Sequence, residues 1–103
     1  MSLKEENEFS ELEHYLLILN FYFAIAKFMI YDFNNFNIQS IIRALDSTFH
    51  HLNNLAKLLN HENSFLTPHY RQNMEDIKNN IEKETHTLNS KMWAEISFCH
   101  FVF

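Results

Sequence analysis

The chain contains no glycine, one proline and one cysteine in 103 residues. Average usage would supply about seven glycines. Glycine provides the φ > 0 positions of tight hairpin turns and lets a backbone approach a phosphate closely. Its absence excludes the P-loop, the dinucleotide-binding fingerprint and the nucleophile elbow, all of which are built on glycines. It also argues against an all-β fold. With Cys99 alone, no disulfide closes within the chain, which suits a reducing compartment. Basic charge is scarce too, with 8 Lys+Arg against 13 Asp+Glu and a formal net charge of -5. Such a chain gains no electrostatic help on phosphate backbones, so direct binding of nucleic acid is not expected.

Apolar residues are plentiful, at 47%, which separates the chain from disordered sequences. The length suits one domain, residues 1–103, with one modest core. The N-terminus MSLKEENEFSELEH lacks the basic stretch and apolar core of a secretory signal. The run YLLILNFYFAIAKFMIY, Tyr15 to Tyr31, reaches only the low edge of membrane-spanning length and holds Asn20 and Lys27. It therefore reads as a buried helix of a cytoplasmic protein with no membrane partner.

Three periodic segments predict an all-α fold, an antiparallel three-helix bundle with long helices at about 8–31, 38–60 and 68–97. The break DFNNFN, Asp32 to Asn37, is rich in asparagine, which tolerates the left-handed region and stands in for glycine. Asn37 is the expected N-cap of the second helix, and Thr67-Pro68 a cap and first turn for the third. The second helix has its seam at Ile38, Ile42, Leu45, Phe49, Leu52, Ala56 and Leu59. The third has Met74, Ile77, Ile81, Thr85, Leu88, Met92 and Ile96. In the first helix, apolar residues cover nearly the whole circumference, leaving one polar stripe of Glu13, Asn20 and Lys27. Such a helix belongs at the centre of the bundle or in an oligomer interface, and since three helices alone hardly cover it, a homodimer or a larger partner is expected. The terminal SFCHFVF is expected to pack back on the bundle; otherwise Phe98, Phe101 and Phe103 form a dimer or docking contact.

Chemistry-bearing motifs are few. Seven histidines are present, but no pair has the spacing of a strong metal motif, so neither metal nor other cofactor is expected. Glu11-Leu-Glu-His14 has the Glu-x-x-His spacing of di-iron bundles in a single copy. Cys99 beside His100 is flanked by phenylalanines and reads as an inert thiol.

Charge carries more information. Five glutamates stand against Lys4 in residues 1–14, and four acids against two lysines in residues 75–84. The candidate partner-binding residues are therefore Glu5, Glu6, Glu8, Glu11, Glu13, Glu75, Asp76, Glu82 and Glu84. They suit a protein partner with a basic surface, such as a nucleic-acid-binding protein. The expectation is a non-enzymatic interaction protein that inhibits its partner, as small acidic phage anti-defence and toxin-immunity proteins do.

The alternative lies on the second helix, where Arg43, Asp46 and His50 share a face. An arginine can clamp phosphate while a histidine acts as general acid or base. Arg43 and His50 resemble the Arg-(x)4–6-His motif of the HEPN ribonucleases, with Ala44 where that family generally shows a polar residue. The resemblance, confined to this helix, implies a ribonuclease or an inactive relative. Pairing of Arg43 with Asp46 and of Asp46 with His50 is expected there in either case.

Overall fold

The computed structural model describes residues 3–60 and 66–102, without the side chains of residues 5, 8, 9 and 99–102. The described residues form three helices packed against one another and no strand: α1 (Leu3–Tyr31), α2 (Ile38–Asn60) and α3 (Pro68–Val102). The molecule is a rod of 59 × 19 × 16 Å. Its radius of gyration is 16.6 Å, against the ~13 Å of a compact chain of this size.

Helix limits follow local chemistry. α2 spans the expected residues, because the Asn37 Oδ1 accepts the Gln39 N–H at 2.8 Å and satisfies an amide that the helix itself leaves free. The α3 start is fixed likewise, with the Tyr70 N–H donating to Thr67 Oγ1 at 3.1 Å and Pro68 in the first helical position. α1 begins earlier than Glu8, at Leu3. Lysine and glutamates are good helix formers, and acids are favoured at a helix N-terminus. α3 continues to Val102 in place of the expected folded-back tail, since no glycine or proline interrupts it after Pro68.

The connection between α1 and α2 corrects one expectation. No described residue has positive φ, so asparagine is not used there as a left-handed substitute for glycine. A single 3-10 turn at Phe33–Asn35 redirects the chain. Asparagine contributes through its side chain instead: Asn35 Nδ2 donates to Asp32 Oδ1 at 2.7 Å, and Asn37 caps α2. Phe33 is buried beneath the turn.

The core runs the length of the rod in two clusters. One joins Leu12 and Leu19 of α1 to Leu52, Leu55 and Leu59 of α2 and to Met74 and Ile81 of α3. The other joins Ala26 and Ile30 to Ile41, Ala44 and Leu45 and to Leu88 and Met92. Phe23 packs against both. In α2 and α3 the division falls at Thr48 and Thr85, which are fully buried and donate to the carbonyls of Ala44 and Ile81 at 2.8 and 2.6 Å. These back-bonds to the preceding turn satisfy the hydroxyls without a partner helix.

The predicted seams shift slightly. α2 lies between two neighbours, so its buried line is Ile41, Leu45, Thr48, Leu52, Leu55 and Leu59, while Ile38 is exposed and Ile42, Phe49 and Ala56 flank the core. In α3, Ile77 is exposed and Ile96 half-buried.

Candidate interaction surface

In α1 the core line is Leu12, Leu16, Leu19, Phe23, Ala26 and Ile30, alternating steps of four and three. A second line has the same rhythm: Leu17, Phe21, Ala24, Phe28 and Tyr31. At about 100° per residue, it lies about 140° round the helix from the first. Its large members face outward, with relative exposures of 69% for Leu17, 61% for Phe21, 64% for Phe28 and 65% for Tyr31. The polar stripe separates the two lines on the α3 side. There Lys27 approaches Glu84 at 3.8 Å, and Asn20 donates to the Leu16 carbonyl at 2.9 Å. Lys91 of α3 lies 4.1 Å from the Tyr31 ring centre, a cation–π contact at one end of the outer line.

Leu17 stands between two grooves. One, of about 550 Å3, is lined by Leu17, Ile18, Phe21, Tyr22 and His51. The other, of about 390 Å3, runs between α1 and α3 along Glu13, Leu16, Asn20, Tyr70 and Met74. In the first, His51 stacks on Tyr22 with ring centres 5.1 Å apart and 18° between planes. Its Nδ1 is buried and has no hydrogen-bond partner among the described residues. Burial, and then the neighbouring charge of His50, holds the His51 pKa below its usual 6.5. Burial, and then the Glu13 carboxylate, pushes the Tyr70 phenol up.

The candidate acidic residues divide by position. Glu6, Glu11 and Glu13 are exposed on the first turns of α1. Glu13 and Tyr70 line one groove, which puts these acids at the same end as Glu75 and Asp76, one to two turns farther along α3. Glu75 is half-buried and pairs with Lys78 at 3.4 Å, while Asp76 accepts from Gln72 Nε2 at 2.9 Å. Glu82 and Glu84 sit farther along, with Glu84 beside Lys27. The side chains of Glu5, Glu8 and Phe101, and all of Phe103, lie outside the described residues, as do those of Cys99 and His100. Phe98 is exposed.

Arg43, Asp46 and His50 all lie exposed on α2. Neither predicted ion pair among them forms; Asn54 Nδ2 instead donates to His50 Nε2 at 3.3 Å. Exposed pairs at this spacing are worth only a few tenths of a kcal/mol, too little to hold long side chains in place. No group of three or more metal-ligating side chains converges among the described residues.

One helix, Ser10–Tyr31 within α1, is long and apolar enough to cross a membrane. The mostly buried core helix of a soluble protein and a signal sequence near an N-terminus pass the same test; only 17% of this apolar window is buried, so α1 is not the buried helix expected from its sequence.

Sequence reasoning expected apolar surface left over on α1 without naming the line that carries it, and it missed the His51 groove. The line has a signal, its four-three spacing. The groove has none, because His51 and Leu17 are far apart in the chain. Comparison with protein-family models, with curated proteins and with solved structures gives no match.

Proposed function

We propose that the chain is a cytoplasmic interaction protein, an antiparallel, self-pairing three-helix bundle that binds a basic surface of another protein and blocks it. Contacts between helices support the direction of each. Leu12 and Leu19 pack with Leu52, Leu55 and Leu59 while Ala26 and Ile30 pack with Ile41, Ala44 and Leu45, which supports α2 running back along α1. The Arg71 guanidinium donates to the Leu59 carbonyl while Phe49 meets His86, so α3 retraces α2.

The observation that carries the binding role is the exposed acidic end, Glu6, Glu11 and Glu13 on α1 with Asp76 nearby on α3. Acids outnumber the bases Lys4, Lys57, Arg71 and Lys78 at that end, and a surplus of one sign helps to steer and orient a basic partner. A nucleic-acid-binding surface is the commonest large basic target, and a rod seated on it competes with phosphate for the same lysines and arginines.

The test is affinity capture from the native cytoplasm, comparing the parent chain with a Glu6→Lys/Glu11→Lys/Glu13→Lys variant. The parent should retain a basic protein, and the variant at least tenfold less of it at low salt. Equal capture by both overturns the proposal. An Arg43→Ala/His50→Ala variant should capture as the parent does; an RNA-cleaving activity abolished by that change would establish the ribonuclease instead.

A further inference from the structure

A helix that is apolar on all sides is normally buried on all sides. α2 and α3 cover one part of α1, and the line Leu17, Phe21, Ala24, Phe28 and Tyr31 stays outside. We propose that this outer line is a self-complementary seam, occupied by a second copy of this chain whose α1 runs in the opposite direction and crosses at Ala24. The inference rests on the self-pairing bundle proposed above and names the face and register of that pairing.

Area is the first argument. Aromatic side chains each bury on the order of 200 Å2 when fully covered. At the exposures seen here, Leu17, Phe21, Phe28 and Tyr31 leave uncovered roughly 500 Å2 per chain, near the upper end of what single soluble proteins carry as one patch. Two such faces remove about 1,000 Å2 from water before the flanking Ile18, Tyr22 and Ile25 are counted, which brings the contact into the range of stable interfaces, ~1,200–2,000 Å2. The four-three spacing is the rhythm with which one helix presents a continuous seam to another.

Shape and charge select the direction. Ala24 is the smallest residue of the line and its midpoint, so two helices approach most closely where Ala24 meets Ala24. In the opposed register Leu17 then faces the partner's Tyr31, and Phe21 faces the partner's Phe28. A parallel pair would instead lay the acidic first turns side by side, Glu6, Glu11 and Glu13 against their own copies. Like charges so placed repel, and aligned helix dipoles add to the cost. The opposed pair removes that repulsion by separating the two acidic ends, and it leaves Lys27 beside its own Glu84. A twofold axis perpendicular to the helices keeps the α3 sides together, so Lys91 approaches the partner's Glu13.

A bilayer is the rival occupant for an apolar face of this size. It would leave the acidic turns without a counter-charge, and spanning would strip Leu12, Leu19 and Ile30 from their packing on α2. The second copy demands neither.

The test combines solution mass with cross-linking in a Cys99→Ser background. The parent should run at the mass of two chains, and Phe21→Glu at the mass of one with its helical circular dichroism unchanged. An equimolar mixture of Leu17→Cys and Tyr31→Cys chains should oxidise to a mixed disulfide dimer at least tenfold faster than either chain alone. This arm needs no disruptive substitution and holds even if Phe21→Glu fails to fold. A single-chain parent overturns the inference, and so does a dimer that survives Phe21→Glu in a folded chain. Rapid self-cross-linking of Leu17→Cys alone would mean a parallel seam and also overturns it. A single-chain parent that sediments with phosphatidylcholine vesicles would assign the face to membrane. A monomer that still captures a basic protein through Glu6, Glu11 and Glu13 would leave the acidic-end reading standing while this inference falls.

Discussion

α1 and α2 pack against each other along most of the rod, yet burial leaves them in different conditions. In α2 the apolar side chains gather on one broad side, and packing on two neighbours buries Ile41, Leu45, Leu52, Leu55 and Leu59 while Arg43, Asp46, His50 and Asn53 stay wet. α1 has apolar side chains on every side but one narrow stripe, and the same packing buries its inner line and leaves the outer one. An amphipathic helix is used up by its own fold. A helix apolar on all but one narrow stripe is not, and part of its apolar surface stays exposed in the single chain.

The comparison breaks most easily in its core. Leu19 and Leu52 are buried on facing helices, at 0% and 3% exposure. Leu19→Ala and Leu52→Ala should each cost ~2–5 kcal/mol in chemical denaturation. Phe21→Ala, on the other side of α1, should cost no more than about 0.5 kcal/mol when the single chain is measured, as for other exposed positions. A loss from Phe21→Ala as large as that from Leu19→Ala would erase the distinction between the two sides of α1.

A smaller effect sharpens how α2 is delimited. Asn37→Ala removes the side-chain acceptor of the Gln39 amide and should lower stability by ~1 kcal/mol. Thr67→Ala should do the same at the start of α3 through the Tyr70 amide. Thermal melts of the two variants beside the parent check both.

The smallest effect sits where the two helices meet. The His51 pKa is lowered in the folded chain, so the unfolded chain binds more protons in acid. The His51 contribution to stability should be intact above about pH 6.5 and be lost as the pH falls through the lowered pKa. Tm measured from neutral to mildly acidic pH should fall less steeply in His51→Phe than in the parent. An unchanged slope would show that protonation of His51 meets no penalty in the groove.

Much of this architecture can be read from residues close together in sequence. Asn37 and Thr67-Pro68 state the starts of α2 and α3, and the four-three spacing of leucines states that both are half-buried. Ile38 and Ile77 show the limit of that reading. A periodic pattern defines a stripe to within one residue either way, and the position of a third helix decides which edge is covered. The exposed glutamates of α1 follow from charge alone, since carboxylates stay in water unless paired. The groove beside them does not, because His51 reaches Leu17 and Tyr22 only through the packing of two helices.

One feature of the α1–α2 connection has a consequence for how such a protein changes over generations. No described residue has a positive φ, and the turn is made by a 3-10 segment and side-chain hydrogen bonds. No described position is reserved for a residue without a β-carbon. The fold is then specified by the sizes and placement of interchangeable apolar side chains, which cores tolerate exchanging so long as volume and pattern persist. Apolar residues of like volume can therefore be exchanged along the core while the rod persists, and the capping side chains of Asn37 and Thr67 are the positions that such drift would spare.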